Sequence, residues 1–420
     1  MKYYEKQCES ISVENTVREI VWSKVVANSA MAAKLLRLHY HDCFVRGCDG
    51  SILLDPVQNV TTEKTAGPSR SVTGYDVIDD IKTALEASCP RIVSCADIVA
   101  LAARDAVSYQ FQKEMWPVFT GRKDGNISLA TEVGVNLPSA NANFTTVLAQ
   151  FETKGLEIDD VVTLSGAHTI GISHCSLVSR RLYNFTGVGD ADPSLDPTYA
   201  QTLREICPIP VNATTVLEMD PNSSLSFDSQ YFEALNQHKG LFVSDAALLA
   251  NAQSAQIAQV LQKPEVFFAR FARSMVRMGA IEVVTDDQGQ VRENCRLPVH
   301  KEAQRFYKQA NGRDFSWFSP SFKFLFSSDT QFHTIQASAA ERNRRQRYRQ
   351  LRLRQIQYGI SKHRPPQLNS LNSLICSIVR LRRYCNSLPP SSPSAPVLPP
   401  PFLLHLVPDF HPKNLRSIRI

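Results

Sequence analysis

LLRLHYHDCFVRGCDGS, residues 35–51, sets two histidines, two arginines, two aspartates and two cysteines close together. Reading residues 30–42 as helix puts Arg37 and His41 four apart, on one face and within reach of each other. Tyr40 borders that face, and Ala30 and Ala33 continue it with small side chains that leave room beside the pair. His39 lies two residues from His41, roughly 200° round the helix. The H-x-H therefore cannot close on one ion, and zinc is set aside. An arginine beside a histidine suits a reaction that moves one proton while negative charge develops on a leaving group. A buried structural Arg–His pair is the plainer alternative. The stretch then turns: Asp42, Asp49 and Ser51 offer oxygen, Gly47 and Gly50 permit tight turns, and Cys43 and Cys48 can close a short loop. That set suits calcium. It suits equally a capped helix end stiffened by a disulfide, with no ion.

LSGAHTIGISHC (164–175) ends another predicted helix at His168, where Gly166 and Gly171 leave space for something bulky and flat. A lone histidine in such a place is more often a helix-end residue than a ligand. As a ligand it would need an acceptor on its other ring nitrogen, and a downstream carboxylate could serve. DPNSSLSFD (220–228) holds two aspartates and three serines, a second oxygen-rich turn or a plain loop.

The 420 residues suffice for one large domain or two ordinary ones. Ten cysteines are many for a cytosolic enzyme, and eight lie before position 300 at irregular spacings without any C-x-x-C. They read as a disulfide framework rather than a zinc site. Asn59, Asn126, Asn143, Asn184, Asn212 and Asn222 each begin a glycosylation sequon, which agrees with a secreted glycoprotein. Met1-Lys2-Tyr3-Tyr4 leads straight into the domain with no visible signal peptide, so either that segment was lost or the start was misplaced. No apolar run is long enough to span a membrane.

Charge divides the chain. Residues 301–420 carry 20 Lys/Arg and 5 Asp/Glu, whereas residues 1–300 carry 26 and 35. The first 300 residues have globular texture with helical periodicity over 14–41 (two helices), 75–88, 95–111, 147–155, 159–169, 228–240 and 263–279. Asp159 is the expected N-cap, and Gly240 and Gly279 the expected C-caps. Strand patterns are few, so the domain is expected to be mainly α. The tail is arginine-dense over 341–355 and rich in proline and serine over 388–402, lacks sequons, and holds Cys376 and Cys385. It reads as disordered or adventitious.

RLHYHDCFVRGCDGSILLD (37–55), SCADIVALAARDAV (94–107), TGRKDG (120–125), LSGAHTIGISHC (164–175), FD-x-x-YF (227–232), GLFVSDAAL (240–248) and NCR (294–296) occur in one order and spacing. Together they resemble the class III (secretory plant) haem peroxidases, and the match covers residues 1 to about 300. The resemblance implies a mainly α haem peroxidase fold, two helical halves enclosing protohaem IX (heme b), with two calcium ions and four disulfides. By resemblance, His168 matches the haem's axial ligand and Asp245 the carboxylate that accepts its ring N–H. His41 matches the acid/base that takes a proton from H2O2, and Arg37 the group that stabilises charge as the O–O bond breaks. Asp42, Val45, Gly47, Asp49 and Ser51 match one calcium site, with Glu63 linked to it. Thr169, Asp220, Ser223, Ser226 and Asp228 match the other. The implied disulfides are Cys8–Cys89, Cys43–Cys48, Cys95–Cys295 and Cys175–Cys207. Pro138 matches a proline near the substrate entrance, and Asp97 and Arg122 a buried structural ion pair.

The expected activity is reduction of H2O2 with one-electron oxidation of small phenolic donors, in wall or lignin chemistry and the response to oxidative stress. The expected location is extracellular, in the cell wall, with the vacuole as second choice, and the expected state is a monomer. The chain departs from the family's pattern at several points. Ser69, in EKTAGPSRSVTGY (63–75), stands where an asparagine usually orients the distal histidine, and the segment is one residue short before Gly74. Thr73 replaces an arginine and Tyr40 a phenylalanine, while CESISVEN lacks the usual C-P-x-A-E. Serine's shorter side chain can reach His41 only if the backbone moves closer. These departures keep open a weakly active or non-catalytic haem- and calcium-binding wall protein. Binding of wall polyanions through the basic tail is a further expectation, with nucleic acid disfavoured by the sequons and disulfides.

Overall fold

The computed structural model describes residues 3–56 and 60–298. The expectations for the tail, for Asn59 and for residues 299–300 lie outside them. The first helices show why the sequence folds as it does. Helix α1 (Val13–Ala27) is capped by Ser12, whose side chain accepts the Asn15 N–H, and buries Val13, Val17, Val21 and Val25, one per turn. The predicted helix over 14–41 divides at Asn28–Ala30, where the Asn28 side chain accepts the Ala30 N–H, and α2 (Met31–Arg46) begins. It runs four residues past the expected end at 42, so Cys43 to Arg46 are its last turn rather than loop. Helix α3 (Tyr75–Ser88) and helix α4 (Cys95–Ser108) follow; Ser94 caps α4 by accepting the Asp97 N–H. Every residue of α4 is buried, and α1, α2 and α3 all pack on it.

The remaining helices are α5 (Ala130–Asn136), α6 (Phe144–Thr153), α7 (Ile158–Ser165), α8 (Cys175–Tyr183) and α9 (Pro197–Ile206). After them come α10 (Gln230–Asn236), α11 (Val243–Ala247), α12 (Ala252–Val260) and α13 (Pro264–Met278). Helix α7 packs on α6, α12 and α13, forming a second helical group. Phe267, Phe271, Met275 and Met278 form the buried stripe of α13. The two groups share one large hydrophobic core. A smaller core collects Val178, Leu182, Leu203 and Leu241 around Cys175–Cys207. The only sheet among the described residues pairs β1 (Ile172–His174) with β2 (Val216–Glu218) antiparallel, Ser173 opposite Leu217.

Two expected caps are corrected. Glu157, not Asp159, caps α7, sharing a reciprocal pair of bonds with Asp160. Asp159 instead sits in the first turn and pairs with Arg270 and Arg273 of α13. Helix α10 ends at Asn236, short of Gly240. Gly279 does end α13, in right-handed rather than left-handed geometry. All four implied disulfides form. The Asp97–Arg122 pair is buried at 2.9 Å.

Candidate active site

Helix α2 presents Arg37 and His41 on one face, as their spacing requires. His41 is only 4% exposed, and its Nδ1 lies 3.3 Å from Ser69 Oγ. The Arg37 guanidinium donates to the Pro68 carbonyl at 3.0 Å and to Ser71 Oγ at 3.1 Å. One turn, residues 68–71, therefore holds both side chains. The turn brings Ser69 close enough to meet His41, though at a distance long for a hydrogen bond. Burial, with the Arg37 charge adding to it, holds the His41 imidazole down at about 3, so it is the free base at neutral pH. Arg37 keeps solvent exposure but is crowded by protein, and that crowding lowers its pKa.

Tyr40 sets its ring edge-on to His41, 5.6 Å between centroids, and tilted on Phe44 at 4.5 Å. His39 points away from this face, as expected. It is buried against Cys43 Sγ at 3.5 Å and lines a separate cavity of about 540 Å³ with Trp116, Phe119 and Met275. His39, Asp42 and Cys43 do gather. Cys43 is oxidised to Cys48 and offers no thiolate, which removes zinc on chemical grounds.

His168 sits in a 3₁₀ turn (Gly166–Thr169) at the end of α7. Its Nδ1 is 2.8 Å from Asp245 Oδ1, leaving Nε2 as its free ligating atom on a side chain 37% exposed. Asp245, 2% exposed, also accepts the Phe242 N–H at 2.8 Å and the Tyr231 hydroxyl at 3.0 Å. Burial pushes this carboxyl up, but His168 and these hydrogen bonds outweigh it and hold it below the ordinary range. Gly166 allows the turn to close: a Cβ there would come within 2.5 Å of Phe267. Three residues past His168, at φ +104°, Gly171 meets α2, where a Cβ would lie 3.2 Å from that of Ala33. Ala33 is one helical turn from Arg37, so this contact brings the His168 turn to the face that carries Arg37 and His41.

Two oxygen clusters flank these residues. In the first, Asp42 Oδ2 accepts the Gly50 N–H and Asp49 Oδ1 the Ser51 N–H. Asp42 Oδ1, Ser51 Oγ and Glu63 Oε2 are buried without a hydrogen-bond partner. Burial pushes Glu63 up to about 8, and raises Asp42 well above its usual range with help from Asp49 and Glu63. The Val45 carbonyl meets Lys154 Nζ at 3.4 Å. Gly47 turns at φ +93°, against Glu282. In the second cluster, Thr169 Oγ1 lies 3.1 Å from both Asp220 Oδ2 and Asp228 Oδ1. Ser223 Oγ donates to Asp228, and Ser226 N–H to the Ser223 carbonyl. Burial, then Asp228, pushes Asp220 up to about 7. Pro138 lies half-buried just past α5, in a segment whose Ala140 carbonyl accepts the Ser244 N–H, one residue from Asp245.

Sequence reasoning missed three groups here: Ser71 and Pro68 on Arg37, and Tyr231 on Asp245. Tyr231 was visible in FD-x-x-YF, but nothing in its spacing tied it to a carboxylate fourteen residues on. Among the described residues no helix is long and apolar enough to cross a membrane.

The sequence profile of the family described as Peroxidase matches residues 17–263. Peroxidase 24 of Arabidopsis thaliana is 54% identical over 303 residues, 71% of this chain and 86% of the relative. Peroxidase 1 of the same plant is 46% identical over 302 residues, 71% and 91% of the two chains. Peroxidase 1 of Oryza sativa subsp. japonica is 44% identical over 302 residues, 70% and 91%. The mainly helical fold and its four disulfides agree with these likenesses, and the chain belongs to the peroxidase family as a class III haem peroxidase.

Proposed function

We propose that Arg37, His41, His168 and Asp245 form the reaction centre, with protohaem IX held on His168. The donor set fits that group. His168 keeps Nε2 free on a partly exposed side chain while a buried carboxylate fixes Nδ1, and the contact of Gly171 with Ala33, both small, brings its turn close to α2. When bound, the haem supplies the redox chemistry that cleaves peroxide and accepts electrons from donors. The protein's own part is proton handling and charge. With Nδ1–H donated to Ser69, His41 Nε2 carries the lone pair that takes a proton from H2O2 and returns it to the outer oxygen. Arg37, fixed by Pro68 and Ser71, stabilises the negative charge that grows there. Asp245 draws on the His168 N–H and makes the ligand electron-rich. The observation that carries this reading is the pairing of a buried, neutral His41 with an arginine on one turn.

Calcium belongs to the same reading, one ion in each oxygen cluster. The three partnerless buried oxygens of Asp42, Ser51 and Glu63 suit a hard cation. So does the convergence of Asp220 and Asp228 on Thr169. Calcium at the first site would draw Val45's carbonyl away from Lys154. The donors are small phenols entering near Pro138, and the setting is extracellular, with wall phenolic chemistry as the role. Loading with haem should give a Soret band and guaiacol oxidation by H2O2. Retention of that oxidation in His41→Ala would refute the assignment. A weakly active variant of the same chemistry is favoured by one observation, the long His41–Ser69 contact.

A further inference from the structure

The chemistry proposed above removes single electrons from phenols, and the chain holds a phenol of its own against the acid–base side chain. We propose that Tyr40 is an internal electron donor, oxidised to a tyrosyl radical when peroxide reacts and no external donor is bound. This rests on the reading of the Arg37, His41 and His168 region as the haem site.

Position and environment carry the inference. Tyr40 lies three residues after Arg37 and directly before His41, so α2 fixes it at the border of the reactive face. Its ring packs against His41, 5.6 Å away, and against Phe44, 4.5 Å away. No described residue hydrogen-bonds its hydroxyl, and the side chain is only half-buried. The step balances simply. Tyr40 gives one electron, which reduces the peroxide-oxidised enzyme by one equivalent, and its hydroxyl proton is released to solvent water. An arriving phenol restores Tyr40 by giving back one electron and one proton, so no bond of the chain is broken.

The two other phenols near the site are placed differently. Tyr231 is buried and its hydroxyl already donates to Asp245 at 3.0 Å, so losing that proton would weaken the support of His168. Tyr75 has a buried hydroxyl without a partner, which leaves its proton no acceptor.

The test mixes holoenzyme with H2O2 without donor and freezes it for electron paramagnetic resonance, in protein carrying ordinary or ring-deuterated tyrosine. The wild type should show a radical signal that narrows on deuteration, vanishes in Tyr40→Phe and survives in Tyr231→Phe. Because Tyr40→Phe alters a wall of the site, trapping with a nitroxide followed by peptide mass spectrometry supplies a readout on the wild type itself. The adduct is expected on the peptide carrying Tyr40. An undiminished signal in Tyr40→Phe, loss only in Tyr231→Phe, or adducts only on other tyrosines overturns the proposal. So does a wild type that binds haem and oxidises guaiacol but gives no organic radical. A wild type without a haem band brings down the site reading as well, and is told apart by that absence.

Discussion

The contact on which the chemistry turns is 3.3 Å long, from His41 Nδ1 to Ser69 Oγ. A neutral hydrogen bond contributes about 1 kcal/mol, so losing it corresponds to roughly a fivefold effect. Ser69→Ala should slow the reaction with peroxide by about that factor in stopped-flow measurements. Ser69→Asn, with a longer acceptor, should speed it; equal rates for wild type and Ser69→Asn would remove any functional cost of serine. The sign of the pH dependence follows from His41. It must be neutral to accept a proton, and it protonates only near 3. The peroxide step should therefore stay level as pH falls from neutrality and drop only on approaching that value. Stability behaves otherwise. His39 and His41 both sit near 3 in the fold and near their ordinary value of 6.5 when unfolded. Between those values the unfolded chain binds the extra protons, so the melting temperature should decline as pH drops from 6.5 towards 3. The Arg37–His41 pairing was legible from spacing because a helix fixes which side chains share a face. The holds from Pro68, Ser71 and Tyr231 were not, since they depend on where a turn or a distant helix lands.

Among the elements, the 3₁₀ turn after α7 is the tightest fit. Gly166→Ala would press a methyl into Phe267 and Phe232. Overpacking of this kind costs about 1–3 kcal/mol. The expected results are a lower melting temperature and weaker haem retention, because His168 is two residues on; an unchanged Soret band on gel filtration would contradict the second. Helices with a strong apolar stripe were readable: the expected span 75–88 is α3 itself, and 263–279 differs from α13 only at its ends. Ends set by competition among acids were not. Asp159 has the right chemistry for a cap, but Glu157 forms the reciprocal bonds with Asp160, and Arg270 and Arg273 draw Asp159 to the surface of α13. Gly240 fails as a cap because the chain leaves α10 earlier and uses the glycine to pass Asp245 and Leu235 closely.

At the scale of the whole molecule, crosslinks and bound cations should set stability together. Cys8–Cys89 and Cys95–Cys295 span 81 and 200 residues. Loops of that length remove on the order of 4–5 kcal/mol of denatured-state entropy each. If the two oxygen clusters hold calcium, a chelator should lower the melting temperature and added calcium restore it. Each site contributes about 2.7 kcal/mol at a hundredfold excess over Kd. No response to chelator or calcium would argue that the Asp42 and Asp220 clusters are empty in solution. The placement of Cys95 also bears on how the chain is made. It opens α4, the helix buried along its whole length, and its partner lies two hundred residues later. On a chain emerging from the ribosome, that thiol waits without its partner until nearly the last of the domain has appeared. Cys89 is six residues away throughout, so premature Cys89–Cys95 pairing is the characteristic error, and disulfide exchange by an isomerase is the step that would set the yield of native enzyme.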